Sequence, residues 1–343
     1  MSIFPSKVNY TTGEVLTATE MNEIGQAINL LDGAQEAAGK NRILNGAMDI
    51  WQRGTSFAGS TLGAYCADRW GYYRGGAVGG ATWSRQSAAL TGFQYGLRAQ
   101  RDSGNTSTQY VGTWQTIETL NSLPLAGQTV TLSFYAKCGA NYSATANALA
   151  VTVITGTGTD QAIYSFTGST NAISGTATLT TSYQRFTYTG ALSSALTEVG
   201  VQFIGTPTGT AGANDWYEIT GVQLEIANTA SNFQTATGNQ GSELAACQRY
   251  FQIYGGAAST FIVAGYTGAT NNFRQMMLFP VQMRSAPTMA VNGTWNIFNC
   301  SAQPTAAFIT ASGFAFTITA TALGQLFAET NSTDDTITAS AEL

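Results

Sequence analysis

The sequence predicts a mainly β protein, and three observations support this fold class. Only 10% of the 343 residues are charged, against about 25% in an ordinary globular protein, and Thr, Ser, Gly and Asn replace the charge. Short segments alternate apolar and polar residues: Val130, Leu132 and Phe134 share one face of such a strand. No helical pattern separates these segments, which disfavours an α/β fold. We expect a jelly-roll-like β-sandwich and a second, C-terminal β-sandwich domain.

The charge balance excludes several classes of partner. The formal net charge is −5 and the isoelectric point is near 4.8, and no basic run is present, so nucleic acid is not expected as a partner. No apolar stretch approaches the roughly 20 residues that span a bilayer, so membrane insertion is not expected either. The opening MSIFPSKVNY lacks a charged region followed by an apolar one, so we do not expect a secretory signal there.

The cysteines predict neither disulfides nor a metal site. They are far apart, form no CxxC pair, and are accompanied by no histidine, so the ligand spacing of a zinc site is absent. We expect buried free thiols, no metal and no cofactor, in a chain assembled in a reducing compartment. The four are Cys66, Cys138, Cys247 and Cys300.

Residues 1–40 are predicted to contain one short helix. Thr17 and Glu20 have the spacing of a capping box at its start. The apolar residues that follow are spaced by three, four and three, as in a heptad seam. Two hypotheses remain open: an amphipathic helix that packs on its own domain, or a short stalk of three helices that joins three copies. The seam consists of Met21, Ile24, Ile28 and Leu31.

The stretch Asn41–Trp70, which reads NRILNGAMDIWQRGTSFAGSTLGAYCADRW, mixes turn signals with charges. Asn-Gly at position 45 predicts a turn, and the alternation from 48 to 53 predicts a strand with two unlike faces. We interpret Arg53, Asp68 and Arg69 as a cross-brace in which Asp68 neutralises one arginine, with ligand contact as the alternative.

The same stretch resembles a known family. The pattern N-x-x-x-NG-x-x-x-x-WQRG followed by Y-x-A-DRW resembles the opening of a β-sandwich module of bacteriophage tail-fibre and receptor-binding proteins. The segment ITGVQLE at 219–225 with SNF at 231–233 resembles its closing strand, and ELAACQRYF at 243–251 resembles the segment that follows. These pieces frame residues 41 to about 251.

The resemblance implies where the protein is located and what it assembles with, and it implies no shared catalytic site. It implies a homotrimeric appendage located in the virion, which is assembled in the bacterial host cytoplasm and released at lysis. This appendage is expected to bind other virion proteins through its N-terminal segment and to bind host surface polysaccharide. The predicted domains are an attachment segment at 1–40, a jelly-roll β-sandwich at 41–230, a hinge with a short helix at 231–255, and a C-terminal β domain at 256–343. In the hinge, Ser242 is the expected helix cap.

The first domain also resembles carbohydrate-binding modules in outline, which use exposed aromatic rings to stack on sugars. For each candidate ring, core packing is the alternative. Because Tyr72 and Tyr73 are consecutive, they cannot both face one core, so we expect at least one to be exposed or at an interface. The candidates are Trp70, Tyr72, Tyr73 and Trp83, together with Tyr95 and Trp114.

The C-terminal domain offers amide-rich loops where we expect receptor contact. Trp295 with its asparagine neighbours has the groups that hold a sugar, although the same residues also make an ordinary turn. The ligand-binding candidates in these loops are Asn271, Asn272, Trp295 and Asn296.

No catalytic site is expected, and we predict that the chain is not an enzyme. Without histidine, Ser-His-Asp and Cys-His arrangements are impossible. A glycosidase needs two carboxylates at close range, and nothing in the sequence brings a pair together. A purely structural virion protein and a polysaccharide-degrading spike remain as alternatives. The carboxylates considered are Asp102, Glu118, Asp160, Asp215, Glu218 and Glu225.

Overall fold

The computed structural model describes residues 12–13, 15–24, 39–59, 62–75, 80–260 and 262–343. A first helix, α1, covers residues 18–24, and its start is the predicted capping box. The Glu20 amide donates to Thr17 Oγ1 at 3.2 Å, and the Thr17 amide donates to Glu20 Oε2 at 2.8 Å. Met21 is 57% exposed, whereas Ile28 and Leu31 of the predicted seam lie outside the described residues. No helix in these ranges is long and apolar enough to cross a membrane.

Residues 56–226 form a sandwich of two six-stranded antiparallel sheets, so the predicted fold class is confirmed. The first sheet has the order β1 (Ser56–Ala58), β4 (Ala81–Leu90), β5 (Phe93–Arg101), β12 (Trp216–Ile226), β7 (Thr129–Cys138) and β10 (Gln184–Ala191). The second has the order β2 (Ala64–Tyr65), β3 (Gly71–Arg74), β6 (Val111–Ile117), β11 (Glu198–Pro207), β8 (Ala144–Gly156) and β9 (Thr170–Thr178). A short helix, α2 (Thr119–Ser122), follows β6.

The sandwich has one main core and a smaller second core on the outer face of the second sheet. The alternating residues Val130, Leu132 and Phe134 all lie in the main core, as predicted. The second core is covered by the 3₁₀ turn Ile163–Ser165 and contains Trp114. Apolar burial on both faces explains why every residue of β6 is buried.

The second core corrects the expectation for the two consecutive tyrosines. Tyr72 lies in the main core, where its ring centroid is 4.6 Å from that of Trp83. Tyr73 points to the opposite face of the strand, as the period of two requires, but that face is also covered. Neither side chain is exposed.

The segment 48–53 is not a strand, contrary to the prediction. Asn45 and Met48 have φ values of 52° and 60°, so the chain turns at the predicted Asn-Gly and turns again at Met48. The Asn45 carboxamide holds this turn: its Oδ1 accepts from the amides of Asp49 and Ile50, and its Nδ2 donates to the Asp68 carbonyl oxygen. Local side-chain hydrogen bonding therefore overrides the alternating pattern.

A second helix-containing segment joins the two β regions. Helix α3 (Gln240–Gln248) is capped by Asn239, whose side chain accepts from the Ser242 amide, so the predicted cap lies three residues too late. The following strand, β13 (Phe251–Gly255), falls inside the predicted hinge but belongs to a C-terminal sheet.

The C-terminal residues form an all-β domain with its own core. Its three sheets contain three strands each. They are β13, β21 (Thr336–Ser340) and β16 (Thr288–Asn292); β14 (Ile262–Thr267), β20 (Gly324–Glu329) and β17 (Asn296–Phe298); and β15 (Asn272–Leu278), β19 (Gly313–Thr319) and β18 (Thr305–Ala307).

Charged residues of the Asn41–Trp70 stretch join the two domains. Glu342 binds Arg69 and lies 2.8 Å from Arg53 Nη2, while Arg53 Nη1 is 3.5 Å from Asp68. The Arg69 guanidinium lies 3.6 Å from the centroid of the Tyr250 ring. The predicted pairing of Asp68 with one arginine is confirmed, and a carboxylate from the far end of the chain completes the group. We call Arg53, Asp68, Arg69 and Glu342 the Glu342 junction.

Three cysteines are buried thiols, as expected. Burial raises the pKa of the Cys66 thiol to about 12, and the pKa values of Cys138 and Cys247 are raised for the same reason. Cys300 is only half-buried. All four are free, which confirms the expectation of unpaired cysteines.

Candidate ligand-binding face

The outer face of the first sheet carries a group of charged and aromatic side chains around one buried carboxylate. Tyr217 of β12 points into the main core, so its neighbour Glu218 points to the outer face. In register, Glu218 lies between Arg98 of β5 and Lys137 of β7. The Glu218 side chain is fully buried by these neighbours.

Every oxygen of the Glu218 carboxylate is bound by a donor. Arg98 Nε and Nη2 donate to Oε1 at 2.9 and 2.6 Å. The Lys137 ammonium is 2.9 Å from Oε2, and the Tyr183 hydroxyl donates to the same oxygen at 3.1 Å. Two cations surround one anion, so the group has a net positive charge in a chain whose total charge is −5.

Aromatic rings lie against both cations. The Arg98 guanidinium is 3.9 Å from the centroid of the Trp216 ring, and the Lys137 ammonium is 4.6 Å from that of Tyr183. These are distances of favourable cation–π contact. Both rings and both cations keep part of their surface in solvent. We call Arg98, Lys137, Tyr183, Trp216 and Glu218 the Glu218 cluster.

A glycine makes room for the tyrosine of this cluster. A Cβ atom at Gly96, which lies in the neighbouring strand β5, would lie 2.6 Å from the Tyr183 hydroxyl oxygen. Tyr183 comes from the β10 side of the sheet, and the absence of a side chain at Gly96 leaves room for its hydroxyl between β5 and Glu218. Burial and the adjacent Glu218 carboxylate raise the pKa of Tyr183, so its hydroxyl stays a neutral hydrogen-bond donor.

The Glu218 cluster combines the groups that recognise a polar, ring-shaped ligand. Half-exposed rings supply apolar contact, and the Arg98 and Lys137 nitrogens supply directed donors. Gln100, in register with Trp216 on the same outer face, adds an amide. The buried Glu218 holds both cations in fixed positions, which lowers the entropic cost of binding.

The predicted aromatic candidates do not form this site. Trp70 and Trp83 are fully buried, Tyr72 and Tyr73 are 7% and 6% exposed, and Trp295 is 4% exposed. None of them presents a ring face to a ligand, so the interpretation of these five as sugar-stacking residues is corrected: each fills a core, as large side chains of a sandwich do. Of the further candidates, Trp114 is buried, whereas Tyr95 is half-buried and stacks on Arg85 at 4.3 Å.

The amide candidates are accessible. Asn271, Asn272 and Asn296 are all exposed. Asn296 Nδ2 donates to Glu329 at 2.8 Å, and Asn272 Oδ1 accepts from Thr319 at 2.9 Å. Their role in ligand binding stays a prediction.

Most of the carboxylates considered for catalysis are held in ion pairs. They bind cations of their own chain: Glu118 with Arg249, Asp160 with Arg284, Asp215 with Arg101, Glu218 with Arg98, and Glu225 with Lys40. Asp102 is exposed and accepts a long hydrogen bond of 3.4 Å from Thr82.

The sequence contained a signal for the Glu218 cluster. Arg98, Lys137 and Glu218 each lie inside a strand of a chain that has few charges, and all three fall on the polar side of the alternation. The pairing of β12 with both β5 and β7, which brings them together, was not evident from the sequence.

Comparisons with known proteins show only distant likenesses. No family model and no curated protein matches the chain. Among solved structures, the enzymatically active domain of tailspike protein 4 from bacteriophage CBA120 is 13% identical, over 55% of this chain and 22% of that one, with a TM-score of 0.35. The CBM22-1 xylan-binding domain of Xyn10C from Paenibacillus barcinonensis is 12% identical, over 57% of this chain and 99% of that one, with a TM-score of 0.32.

A CBM4 structure gives a similar result, with 19% identity over 53% of this chain and 98% of that one and a TM-score of 0.32. The match spans about a fifth of the tailspike chain. None of these likenesses is close enough to assign a function to this protein.

Proposed function

We propose that this protein is a bacteriophage tail-fibre or related virion appendage that binds host cell-surface glycan through the Glu218 cluster. The observation that carries the proposal is the open side of that cluster: Arg98 and Lys137 are 22% and 16% exposed, although both already bind a buried carboxylate. The sequence resemblance to tail-fibre modules supports the virion setting. A homotrimer, a location in the virion and N-terminal attachment to other virion proteins belong to the same proposal.

The charge of the cluster favours an acidic glycan. With Glu218 counted, the cluster has one net positive charge, and cations bind carboxylate or sulfate groups more tightly than hydroxyl groups. The half-exposed rings of Trp216 and Tyr183 favour a ligand with an apolar ring face, as sugars have. Uronic acids and sulfated sugars combine both features.

We propose binding without catalysis. Five of the carboxylates considered for glycoside hydrolysis are ion-paired within the chain, which favours a structural or binding role over acid–base work. A purely structural virion component predicts no glycan binding at all. A depolymerase spike predicts that polysaccharide is shortened during incubation.

The test is a binding screen with the full chain against acidic and neutral polysaccharides from bacterial surfaces. We expect retention on at least one acidic polysaccharide, lost in the variant Trp216→Ala with Lys137→Gln and kept in the control Tyr164→Ala. Tyr164 is a suitable control because it is 46% exposed and lies on the outer side of the other sheet. Size analysis of the polysaccharide after incubation detects cleavage. If the variant with both substitutions is retained as strongly as the wild type, the assignment of binding to this cluster is wrong. If the wild type is retained on no polysaccharide, a purely structural virion component is favoured.

A further inference from the structure

Glu198 is a fully buried carboxylate on the outer face of the second sheet. Its neighbour in β11, Val199, points into the main core, so Glu198 points to the opposite face. The segment 157–161 lies over that face, and Glu198 Oε1 accepts from the Gln161 amide at 2.5 Å. The other oxygen, Oε2, is buried too and accepts no hydrogen bond from the described residues.

The cations of the chain do not balance this carboxylate. Among the ion pairs of the described residues, none involves Glu198. Arg284, which reaches the same segment, pairs with Asp160 at 2.8 Å instead. A buried carboxylate without a paired cation is costly, and an unsatisfied buried group in a native structure indicates a water or an ion as its partner. The surroundings of Oε2 decide between the two.

A small space beside Gly158 is lined by oxygen atoms. A Cβ atom at Gly158 would lie 2.0 Å from Gln161 Oε1 and 2.7 Å from Glu198 Oε2, and a Cβ atom at Gly156 would lie 3.0 Å from the same carboxylate oxygen. Gln161 Oε1 accepts from the Thr167 amide at 2.7 Å, but an amide oxygen has a second lone pair. Two acceptors therefore face one space that two glycines keep open.

We propose that Glu198 and Gln161 bind a hard divalent cation of the Ca²⁺ class beneath the segment 157–161. Carboxylate and amide oxygens are the ligands that Ca²⁺ takes in proteins, and water completes its shell of about six to eight oxygens. Water reaches the site because Thr157 and Thr159 are exposed. A water molecule in the same space would bond Oε2 but leave its charge uncompensated. With few protein ligands, the expected Kd is about 10⁻⁴ to 10⁻³ M.

The cation joins the cover of the second core to strand β11. The segment 157–161 leads into the turn Ile163–Ser165, which covers Trp114. The Thr197 hydroxyl, which donates to the Gly158 carbonyl oxygen, already ties the segment to β11 on the other side. Binding should therefore stabilise the sandwich. The expectation of no metal rested on cysteine and histidine spacing, which does not test a site built from oxygen ligands.

The test combines terbium luminescence with thermal unfolding of the chelator-treated full chain. Tb³⁺ occupies Ca²⁺ sites and emits when a nearby aromatic ring transfers energy to it. Tyr164 and Trp114, whose ring centroids are 5.7 Å apart, lie beside the segment and serve as donors. We expect Tb³⁺ emission that Ca²⁺ displaces. Ca²⁺ at about tenfold above its Kd should raise the thermal midpoint by about 3 °C.

Two substitutions remove different parts of the site. Glu198→Gln keeps the size of the side chain and removes its charge, so it should lose both responses and be at least as stable as the wild type without Ca²⁺. Gly158→Ala places a methyl group in the space and should weaken Ca²⁺ binding by about tenfold or more. Gly268→Ala, where a Cβ atom meets nothing within 4 Å, is the matched control and should keep both responses.

Two results overturn the proposal. One is a wild-type chain that shows neither Tb³⁺ emission nor a change of thermal midpoint with Ca²⁺ up to about 10 mM, tenfold above the weakest expected Kd. The other is persistence of both responses in Glu198→Gln, which would place the ion elsewhere. If Glu198→Gln does not fold, Gly158→Ala decides in the same way. No glycan is present in these measurements, so neither result bears on glycan binding by the Glu218 cluster.

Discussion

The Glu342 junction and the Glu218 cluster contain the same kinds of interaction but differ in burial and in net charge. Each surrounds one buried carboxylate with two cations and places an aromatic ring against a guanidinium. In the junction, Arg69 is 2% exposed and a second carboxylate, Asp68, balances Arg53. In the Glu218 cluster no second carboxylate is present among the described partners, and both cations reach solvent.

The difference shows how burial decides the role of an ion-pair group. The Glu342 junction is buried, electrically balanced and joins two domains, so its loss should lower the free energy of unfolding. The open group has an excess positive charge that faces solvent and attracts an acidic ligand, so its loss should weaken binding. Each prediction below tests whether stability and binding separate in this way.

The largest expected effect is on stability. Glu342→Gln leaves Arg69 buried without its anion, and removal of one partner of a buried pair typically costs about 3–5 kcal/mol. Burial lowers the pKa of Arg69 and the Glu342 carboxylate raises it. The variant loses this carboxylate, but an arginine is not deprotonated in proteins, so its charge stays buried and uncompensated. Urea denaturation should show this loss, whereas the exposed control Asp334→Asn should stay within about 0.5 kcal/mol of the wild type. A loss below 1 kcal/mol would contradict the role of the junction.

The second effect is a pH dependence from Asp68. Burial raises the pKa of Asp68 to about 6, although Arg53 and the hydrogen bonds from Gln52 oppose the rise. In the unfolded chain its pKa is near 3.8. Between these pH values the folded chain binds more protons than the unfolded chain. The free energy of unfolding should therefore fall as pH rises from about 4 to 6, by up to about 3 kcal/mol.

Asp68→Asn isolates that contribution, because the amide does not titrate. Unfolding free energies of the wild type and the variant should be measured at half-unit intervals from pH 4 to pH 7. Their difference should change with pH in the stated direction. A constant difference would mean that the Asp68 pKa is the same in both states.

The third effect is on affinity. Lys137→Gln removes one of the two partly exposed cations of the Glu218 cluster. A lost charge-assisted hydrogen bond costs about 1.5–3 kcal/mol, or roughly tenfold to a hundredfold in Kd. Arg53→Gln in the junction is the matched control and should leave Kd unchanged. Calorimetric titration with the retained polysaccharide measures both. Equal weakening by the two variants would remove the distinction between the two groups.

The smallest effect is the response to salt. Partly exposed cations are screened as the Debye length falls from about 10 Å at 0.1 M to 3 Å at 1 M. Raising the salt concentration over that range should weaken binding of an acidic polysaccharide several-fold and change the unfolding free energy much less. Salt-independent binding would mean that the rings alone hold the ligand.

Secondary structure was largely predictable from the sequence. The alternation of Val130, Leu132 and Phe134 gave the correct core face, and Thr17 with Glu20 marked the helix start. The error at 48–53 has a local cause, since the Asn45 side chain bonds the backbone and replaces the strand by turns.

The candidate site was less predictable, because burial depends on contacts between distant residues. An aromatic ring such as Tyr73 looks exposed from strand parity, but the turn Ile163–Ser165 returns to cover it. Likewise, the partner that completes the Glu342 junction lies more than 270 residues from Arg69. Neither contact leaves a pattern in the local sequence.

The most direct test of the central claim is oxidative footprinting by mass spectrometry, with and without the polysaccharide retained in the screen. We predict that the ligand protects Trp216 and Tyr183 of the Glu218 cluster. It should leave two other tyrosines unchanged: Tyr65, whose ring centroid lies 5.4 Å from Arg53 of the Glu342 junction, and the exposed Tyr266 of β14. Protection confined to Tyr266 or to the loops with Asn271 and Asn296, while Trp216 stays fully reactive, would contradict the assignment of ligand binding to the open cluster.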